Sequence, residues 1–309
     1  INQISITEFI LLGFGNLHEL QIPLFLLFLV IYIVTMAGNI LIIALVVADQ
    51  HLHTPMYFFL GNLSCLETCY SSTILPRMLA GLLTGDRTIS FMDGCITQLY
   101  FFVFMVTAEC FLLLVVSYDR YLAICNPLHY AALMRSWVCI QLVSGSWTMA
   151  FFTSTLITLL MARLTFCGPN NIDHFFCDFA PMLKLSCRDT SLIELVNLIL
   201  CFAIILPTFL LTLICYVCII ATILRIPSTT ERHKAFSTCS SHLIVVATFY
   251  GSIIISYMIP TAGTAGDLHK VFSVFYTVLT PLVNPLIYSL RNKEVKEALR
   301  KQSLGCLSV

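Results

Sequence analysis

The chain has 309 residues, of which 59% are hydrophobic and 10% are charged, and its formal net charge is zero. Charged residues make up about 25% of a typical soluble domain, so this composition excludes an ordinary soluble protein and indicates a membrane protein. The balanced charge gives no basis for nucleic-acid binding, which a strongly basic domain would signal.

Seven apolar stretches are each long enough to cross a bilayer, for which a helix needs about 20 residues. Helices are the spanning form that such lengths allow. In chain order the predicted spans are Pro23 to Ala48, Pro55 to Leu83, Cys95 to Tyr118, Trp137 to Ala162, Leu195 to Leu224, Leu243 to Pro260 and Val271 to Leu290. The predicted fold is therefore an all-α membrane protein, with a seven-helix transmembrane domain over residues 23–290.

The two tails differ in charge. Residues 1–22 contain Glu8 and Glu19 but no Lys or Arg, whereas residues 291–309 contain five basic side chains. By the positive-inside rule, the first tail is predicted to be extracellular and the last cytoplasmic. Lys293 to Lys301 has Val295 and Leu299 four residues apart among charges, which predicts a short amphipathic helix along the lipid surface.

The third predicted span is followed directly by an adjacent acid and base, Asp119 and Arg120. Such a pair should not sit in lipid. A helix from Cys95 to Arg120 would be roughly 37 Å long at 1.5 Å per residue, which just exceeds a hydrocarbon core of about 30 Å. Cys95 and Arg120 are therefore predicted to lie at opposite faces of the membrane.

Four motifs resemble those of the rhodopsin-like G-protein-coupled receptors, and within them the vertebrate olfactory receptors of the tetrapod type. They are S-Y-D-R-Y-L-A-I-C-N-P-L-H-Y at Ser117 to Tyr130, P-M-Y-F-F-L at Pro55 to Leu60, K-A-F-S-T-C-S-S-H-L at Lys234 to Leu243, and P-L-V-N-P-L-I-Y-S-L-R-N at Pro281 to Asn292. The resemblance implies a plasma-membrane receptor that binds a small odorant within the helix bundle. It also implies a partner, a stimulatory heterotrimeric G protein that raises cyclic AMP. No enzyme signature is present.

The resemblance assigns a switch to the cytoplasmic ends of the helices. In this switch, Asp119 holds Arg120 at rest, and Arg120 is released to the G protein on activation. An isolated match of this kind would more simply be an ion pair at a helix end. Pro285 breaks a backbone hydrogen bond and permits a hinge. The full predicted set for the switch is Asp119, Arg120, Tyr121, Tyr216, Lys234, His242, Asn284, Pro285 and Tyr288.

Two carboxyl groups, Glu67 and Glu109, fall inside predicted spans, and intramembrane acids are candidates for function because they are costly in lipid. Counting back from Arg120 in helical steps places Glu109 on the same helix face. The resemblance implies that the two acids can bind a sodium ion, and it implies no other cofactor. Alternatively, one or both are protonated and hydrogen bonded. From hydropathy alone, a transporter or channel with an ion path through them fits equally well, although two similar halves are not evident.

Of 14 cysteines, four lie in polar loops, and four cysteines allow three disulfide connectivities. The resemblance selects Cys95 with Cys177 and Cys167 with Cys187. The stretch from His174 to Asp178 also matches a metal-site proposal made for this family. A disulfide-bonded cysteine cannot act as a thiolate ligand, so His174 is predicted to be a loop histidine with ordinary hydrogen bonds.

The resemblance also predicts an odorant pocket. Its predicted lining is Phe102, Val103, Val106, Thr107, Phe179, Cys201, Ile205, Tyr250, Ile253, Ile254 and Tyr257. The last four follow the i, i+3, i+4, i+7 spacing of one helix face, which interhelical core residues would share. Phe102 stands where amine receptors of the wider family carry an acid, so a cationic ligand would lack a counter-ion. Acid-binding relatives carry a cation at the outer end of the sixth helix, and the corresponding stretch here, Ile259 to Gly266, contains none. The predicted ligand is therefore small, neutral and mostly apolar, oriented by Thr107, Tyr250 or Tyr257.

Overall fold

The computed structural model describes residues 7–14, 18–167, 169–258, 266–291 and 295. The helix predicted over Lys293 to Lys301 lies outside the described residues except at position 295. The backbones of Lys234 and Tyr288 lie in helices, but their side chains are also outside what is described.

Most of the described chain is helical. In chain order the helices are α1 (Gln21–Ala48), α2 (Pro55–Thr84), α3 (Thr97–Cys125), α4 (Pro127–Leu133), α5 (Ser136–Met161), α6 (Phe179–Leu183), α7 (Ser191–Leu224), α8 (Thr229–Met258), α9 (Gly266–Val274) and α10 (Thr280–Arg291). A π-helix, Phe275–Leu279, joins α9 to α10, so that residues 266–291 form one helical segment. With α1, α2, α3, α5, α7 and α8, this segment completes the predicted bundle of seven.

Five helical segments are long and apolar enough to cross a membrane by length and composition alone, and a sixth, α8, has an apolar part at His242–Tyr257. The remaining helix of the seven, α2, is less apolar, because it carries Glu67, Arg77 and many hydroxyl groups. Glu67 is fully buried, so this acid faces protein rather than lipid. Large apolar side chains such as Ile22, Val47 and Val217 point outward from the bundle, as expected where lipid is the solvent.

Helix α3 is the centre of the bundle, since it packs against α2, α5 and α7. The helix ends differ from the predicted spans. Helix α8 begins at Thr229 rather than Leu243, α3 continues to Cys125 rather than Tyr118, and α7 begins at Ser191 rather than Leu195. Hydropathy marks only the part of a helix in the hydrocarbon core, whereas helical hydrogen bonding continues into the polar region on either side.

A small sheet covers one end of the bundle and was not predicted. Strand β1 (Glu8–Leu11) lies between β2 (Thr88–Ser90), to which it is antiparallel, and β3 (Asn171–Ile172), to which it is parallel. The buried ring of Phe9 packs edge-on against Phe166 at a centroid distance of 5.0 Å. Strands of two to four residues show too little alternation to be recognised in sequence. We call this the disulfide end, and the opposite one the Arg120 end.

Helix α10 continues through Pro285, which has no N–H to donate to the carbonyl of Pro281. The Asn39 amide of α1 donates to that carbonyl instead, at 3.2 Å. A Cβ at Gly38 would lie 2.9 Å from Pro285 Cβ, so the missing side chain permits this close approach of α1 and α10. The pairing holds α10 in the bundle beside α2.

Candidate functional site

A cavity with about 570 Å³ of empty space, including its mouth, lies among α3, α5, α6, α7 and α8. The space open to the centre of a water-sized sphere is about 70 Å³. The cavity is lined by Phe102, Val103, Val106, Thr107, Cys110, Thr153, Ile157, Phe179, Asn197, Leu200, Cys201, Ile204, Ile205, Ile253 and Tyr257. None of these described lining residues carries a formal charge, and the polar ones offer only hydroxyl, thiol and amide groups.

Nine of the eleven residues predicted for the pocket belong to this lining. The exceptions are Tyr250 and Ile254. Tyr250 is fully buried, and its hydroxyl donates to the carbonyl of Cys110 at 2.9 Å. Of the four α8 residues predicted from helical spacing, Ile253 and Tyr257 line the cavity and the other two do not, and Tyr250 instead holds α8 against α3.

Tyr257 lines the cavity, yet its hydroxyl is engaged by the protein. It donates to Asp178 Oδ1 at 2.8 Å and lies 3.0 Å from the hydroxyl of Tyr276. Asp178 is fully buried and caps α6 by accepting from the Phe179 amide. Sequence reasoning missed this carboxyl beside the pocket, because Asp178 lies in a loop whose path is decided only by the fold.

The two intramembrane acids meet in the interior, where both are fully buried. Glu67 Oε1 accepts a hydrogen bond from the Asn284 amide of α10, and the Glu67 and Glu109 carboxyls are close enough to interact directly. Among the described residues, Glu67 Oε2, Glu109 Oε1 and Oε2, and Asn284 Oδ1 have no other hydrogen-bond partner by distance and angle. Asn284 therefore belongs with the acids, not with Arg120.

At the Arg120 end, the Arg120 guanidinium pairs with the buried Asp119 carboxylate through Nε, at 3.0 Å, and through Nη2. The Tyr130 hydroxyl of α4 donates to the other oxygen of Asp119 at 2.7 Å. Tyr216 and His242 are buried nearby and interact electrostatically with Arg120. Tyr130 was not predicted for the switch, although it closes the same sequence motif. Tyr121 is half-buried beside them.

Both predicted disulfides are present. Cys95 pairs with Cys177 and Cys167 with Cys187, with Cα–Cα distances of 5.2 and 5.8 Å. The amide of Cys177 also donates to Gln98 Oε1 of α3 at 2.9 Å. The long loop is thereby anchored to the start of α3, above the cavity.

His174 lies in a loop, as predicted, and it is only 1% exposed. Its Nε2 lies 3.2 Å from the Ser273 hydroxyl of α9. Burial lowers the pKa of His174 well below its usual range, and the nearby charges of His269 and Lys270 act in the same direction. Burial raises the pKa of Asp178, partly offset by His269 and by its two hydrogen bonds.

Comparison with known proteins agrees with this architecture. Residues 28–304 match the family model described as olfactory receptor. The chain is 51% identical to human olfactory receptor 11L1, covering 97% of this chain and 93% of that one, and 50% identical to human olfactory receptor 10A7, covering 97% and 95%. It is also 50% identical to mouse olfactory receptor 6Z7, covering 97% and 96%. The chain therefore belongs to the olfactory receptor family, whose members are odorant-sensing G-protein-coupled receptors of the membrane and not enzymes.

Proposed function

We propose that this receptor detects a small neutral, mostly apolar volatile in the cavity among α3, α5, α6, α7 and α8. The observation that carries the proposal is the chemistry of the lining, which is apolar except for a few uncharged polar groups. An amine or carboxylate ion would lose its hydration there without a facing opposite charge, which is a severe penalty. An alcohol, aldehyde or ketone needs only one or two hydrogen bonds.

Thr107 is the predicted orienting group that best fits this role, because it lines the cavity on α3. Tyr250 and Tyr257 fit it less well, since their hydroxyls are bonded to protein acceptors. Removing one neutral hydrogen bond costs about 0.5 to 1.5 kcal/mol. Thr107→Val should therefore raise the half-maximal concentration of an oxygen-containing agonist by roughly 2- to 12-fold.

The test is a chemically diverse odorant panel in a cyclic-AMP reporter cell line. Thr148→Val is the matched control, because Thr148 is exposed on the outer side of α5 and bonds only its own helix. Thr107→Val and Thr148→Val should respond equally to a hydrocarbon of the same shape as the agonist. If the best agonists were primary amines or short fatty acids, with neutral analogues silent, the pocket assignment would be wrong.

We also propose that the Arg120 end faces the cytoplasm and activates a stimulatory G protein. The Arg120–Asp119 pair supports this, because it is the arrangement that the switch requires at rest. The disulfides at the opposite end fit an oxidising exterior. Agonist-driven cyclic AMP without agonist-driven ion flux is expected, and flux in the absence of any G protein would favour a channel instead.

A sodium ion between Glu67 and Glu109 is a further part of the proposal. Several buried oxygens there lack hydrogen-bond donors among the described residues, and anionic and carbonyl oxygens suit a hard cation. Its charge would offset the repulsion between two carboxylates. Two acids that share one ion form a coupled pair. Glu67→Ala and Glu109→Ala should therefore be non-additive in thermal stability, and only the wild type should be stabilised by sodium over choline.

Strictly additive losses with no sodium dependence would instead indicate two independently protonated acids.

A further inference from the structure

Three side chains converge at the disulfide end, on the far side of Tyr257 from the odorant cavity. His174 follows β3, Asp178 precedes α6, and His269 lies on α9. One nitrogen of each histidine and one oxygen of the carboxylate all lie within 4.8 Å of one another. His269 Nε2 lies 3.6 Å from Asp178 Oδ2.

The converging atoms make no hydrogen bond to any described residue, although His269 Nε2 and Asp178 Oδ2 are within ion-pair distance. His174 Nδ1, Asp178 Oδ2 and His269 Nε2 are all buried atoms without a hydrogen bond, and the side chains of His174 and Asp178 are almost completely inaccessible. Buried polar atoms are normally satisfied, and each exception calls for an explanation. Three such atoms within 4.8 Å of one another form a candidate ligand site.

The hydrogen bonds around His174 determine what its Nδ1 can do. The Ser273 hydroxyl lies 3.2 Å from His174 Nε2, and it can accept from that nitrogen while it donates its own proton to the carbonyl of His269 at 2.8 Å or to the Tyr276 hydroxyl at 2.9 Å. In the tautomer that this arrangement allows, Nε2 of His174 carries the proton. Nδ1 then presents a lone pair to the other two groups, which is the state that a metal ligand requires.

Asp178 is oriented in the same manner. Its Oδ1 accepts from the Tyr257 hydroxyl at 2.8 Å and from the Phe179 amide at 2.7 Å. Oδ2 is left to face the two histidines. Fixed outer hydrogen bonds of this type hold metal ligands in place in known sites.

We propose that His174, Asp178 and His269 form a zinc site, with each residue giving one ligand atom and the fourth position open to water. Two imidazoles and one carboxylate are a known ligand set for Zn²⁺. Calcium and magnesium prefer oxygen ligands alone. Zinc ligands about 2.0 to 2.2 Å from the metal lie roughly 3.4 Å from each other in a tetrahedron, so the His269–Asp178 pair is nearly in place.

This ligand set does not use Cys177, whose sulfur is held in the disulfide with Cys95. It replaces that residue with His269, which is distant in sequence and is brought to the site by α9. A bound ion would join the long loop to α9. The competing explanation is a simple ion pair between protonated His269 and Asp178, which would bind no metal.

The test is zinc binding to the purified full-length receptor in detergent, measured by competition with a fluorescent zinc chelator and by the shift in thermal unfolding temperature. The wild type should bind one Zn²⁺ and unfold at a higher temperature with it, whereas Mg²⁺ should have no effect. Ser273→Ala, which removes the outer hydrogen bond to His174, should weaken zinc binding by about 10- to 100-fold.

His269→Ala should lose the bound zinc and the temperature shift. It is the preferred ligand variant because His269 is the most exposed of the three side chains and its removal leaves the Asp178–Tyr257 bond intact. His51→Ala is the matched control, since His51 is an exposed histidine before α2, at the Arg120 end, and should bind as the wild type does.

Equal zinc affinity in the wild type, His269→Ala and His51→Ala would overturn the proposal, as would a folded wild type that does not bind zinc. As a second readout, Co²⁺ bound to the wild type should show the visible absorption of a four-coordinate site, and His269→Ala should abolish it. Neither measurement depends on the odorant.

Discussion

Asp119 is the residue on which the charged end of α3 depends. Its buried carboxylate accepts from the Arg120 guanidinium with one oxygen and from the Tyr130 hydroxyl with the other. Hydrogen bonds to charged groups contribute about 1.5 to 3 kcal/mol each. Two contacts therefore hold the resting arrangement: the Arg120–Asp119 pair itself and the Tyr130 bond that holds Asp119. Each can be removed by a separate substitution.

Arg120→Ala should reach the cell surface but lose agonist-driven cyclic AMP. The Arg120 side chain is 15% exposed at a helix end, where truncation disturbs little packing, whereas its charge is the group proposed to be released to the G protein. Arg188→Ala, in the exposed loop at the opposite end, is the control and should signal normally. Full signalling by Arg120→Ala at matched surface expression would contradict the switch.

Tyr130→Phe should raise agonist-independent cyclic AMP, by up to about tenfold for the loss of one charge-assisted bond of roughly 1.5 kcal/mol. The change deletes only the hydroxyl that donates to Asp119, which weakens the resting arrangement. Tyr118→Phe is a matched control, because Tyr118 is 39% exposed on α3, next to Asp119 in sequence. Basal activity in Tyr130→Phe at or below that of the control would rule out this role.

At the scale of elements, α10 is stabilised by α1. The break caused by Pro285 leaves the carbonyl of Pro281 without a helical donor, and Asn39 supplies one. Asn39 also donates to the carbonyl of Thr35 in its own helix at 3.0 Å. Only the first bond is expected to matter greatly, because the second acceptor already has a backbone N–H partner.

Asn39→Ala should lower the free energy of unfolding by about 1 to 3 kcal/mol, the cost of an unsatisfied buried group, measured as a lower unfolding temperature in detergent. Asn62→Ala is the control for the helical bond alone, since the Asn62 amide donates only to Phe58, four residues earlier. Equal effects of the two substitutions would show that the bond to Pro281 contributes nothing.

At the scale of the whole molecule, the disulfide end is one connected lid over the cavity. The Cys95–Cys177 bond ties the long loop to the start of α3, while β3 of that loop pairs with β1 of the first tail. Lys270 of α9 and Asp173 of the loop add a salt bridge of 2.5 Å. The long loop and the first tail are therefore held to the start of α3 through one covalent bond.

Cys95→Ser and Cys177→Ser should each strongly reduce surface expression, because removing a native disulfide typically costs about 2 to 5 kcal/mol. The double variant should be no worse than either single one, since all three lack the same bond. Cys65→Ser, at an exposed free cysteine of α2, is the control for surface immunostaining. Normal expression of Cys177→Ser would refute the importance of this link.

The apolar runs of the chain were sufficient to predict seven helices, and its motifs were sufficient to predict the family, the two disulfides and most of the cavity lining. The reason is local. A run of about 20 apolar residues has few alternatives to a helix in lipid, and helical spacing determines which side chains share a face. Ile253 and Tyr257, four residues apart on α8, could be assigned together for that reason.

Contacts between distant segments depended on the tertiary structure, because nothing within one helix specifies which neighbour its polar atoms will meet. The hydroxyl of Tyr250 bonds to Cys110 and that of Tyr257 to Asp178, although both tyrosines share the periodic face that predicted a pocket. His174 and His269 are on a loop and a helix whose approach is decided by packing. Periodicity orders the residues of one element, whereas the choice of hydrogen-bond partner is made only where two elements are buried against each other.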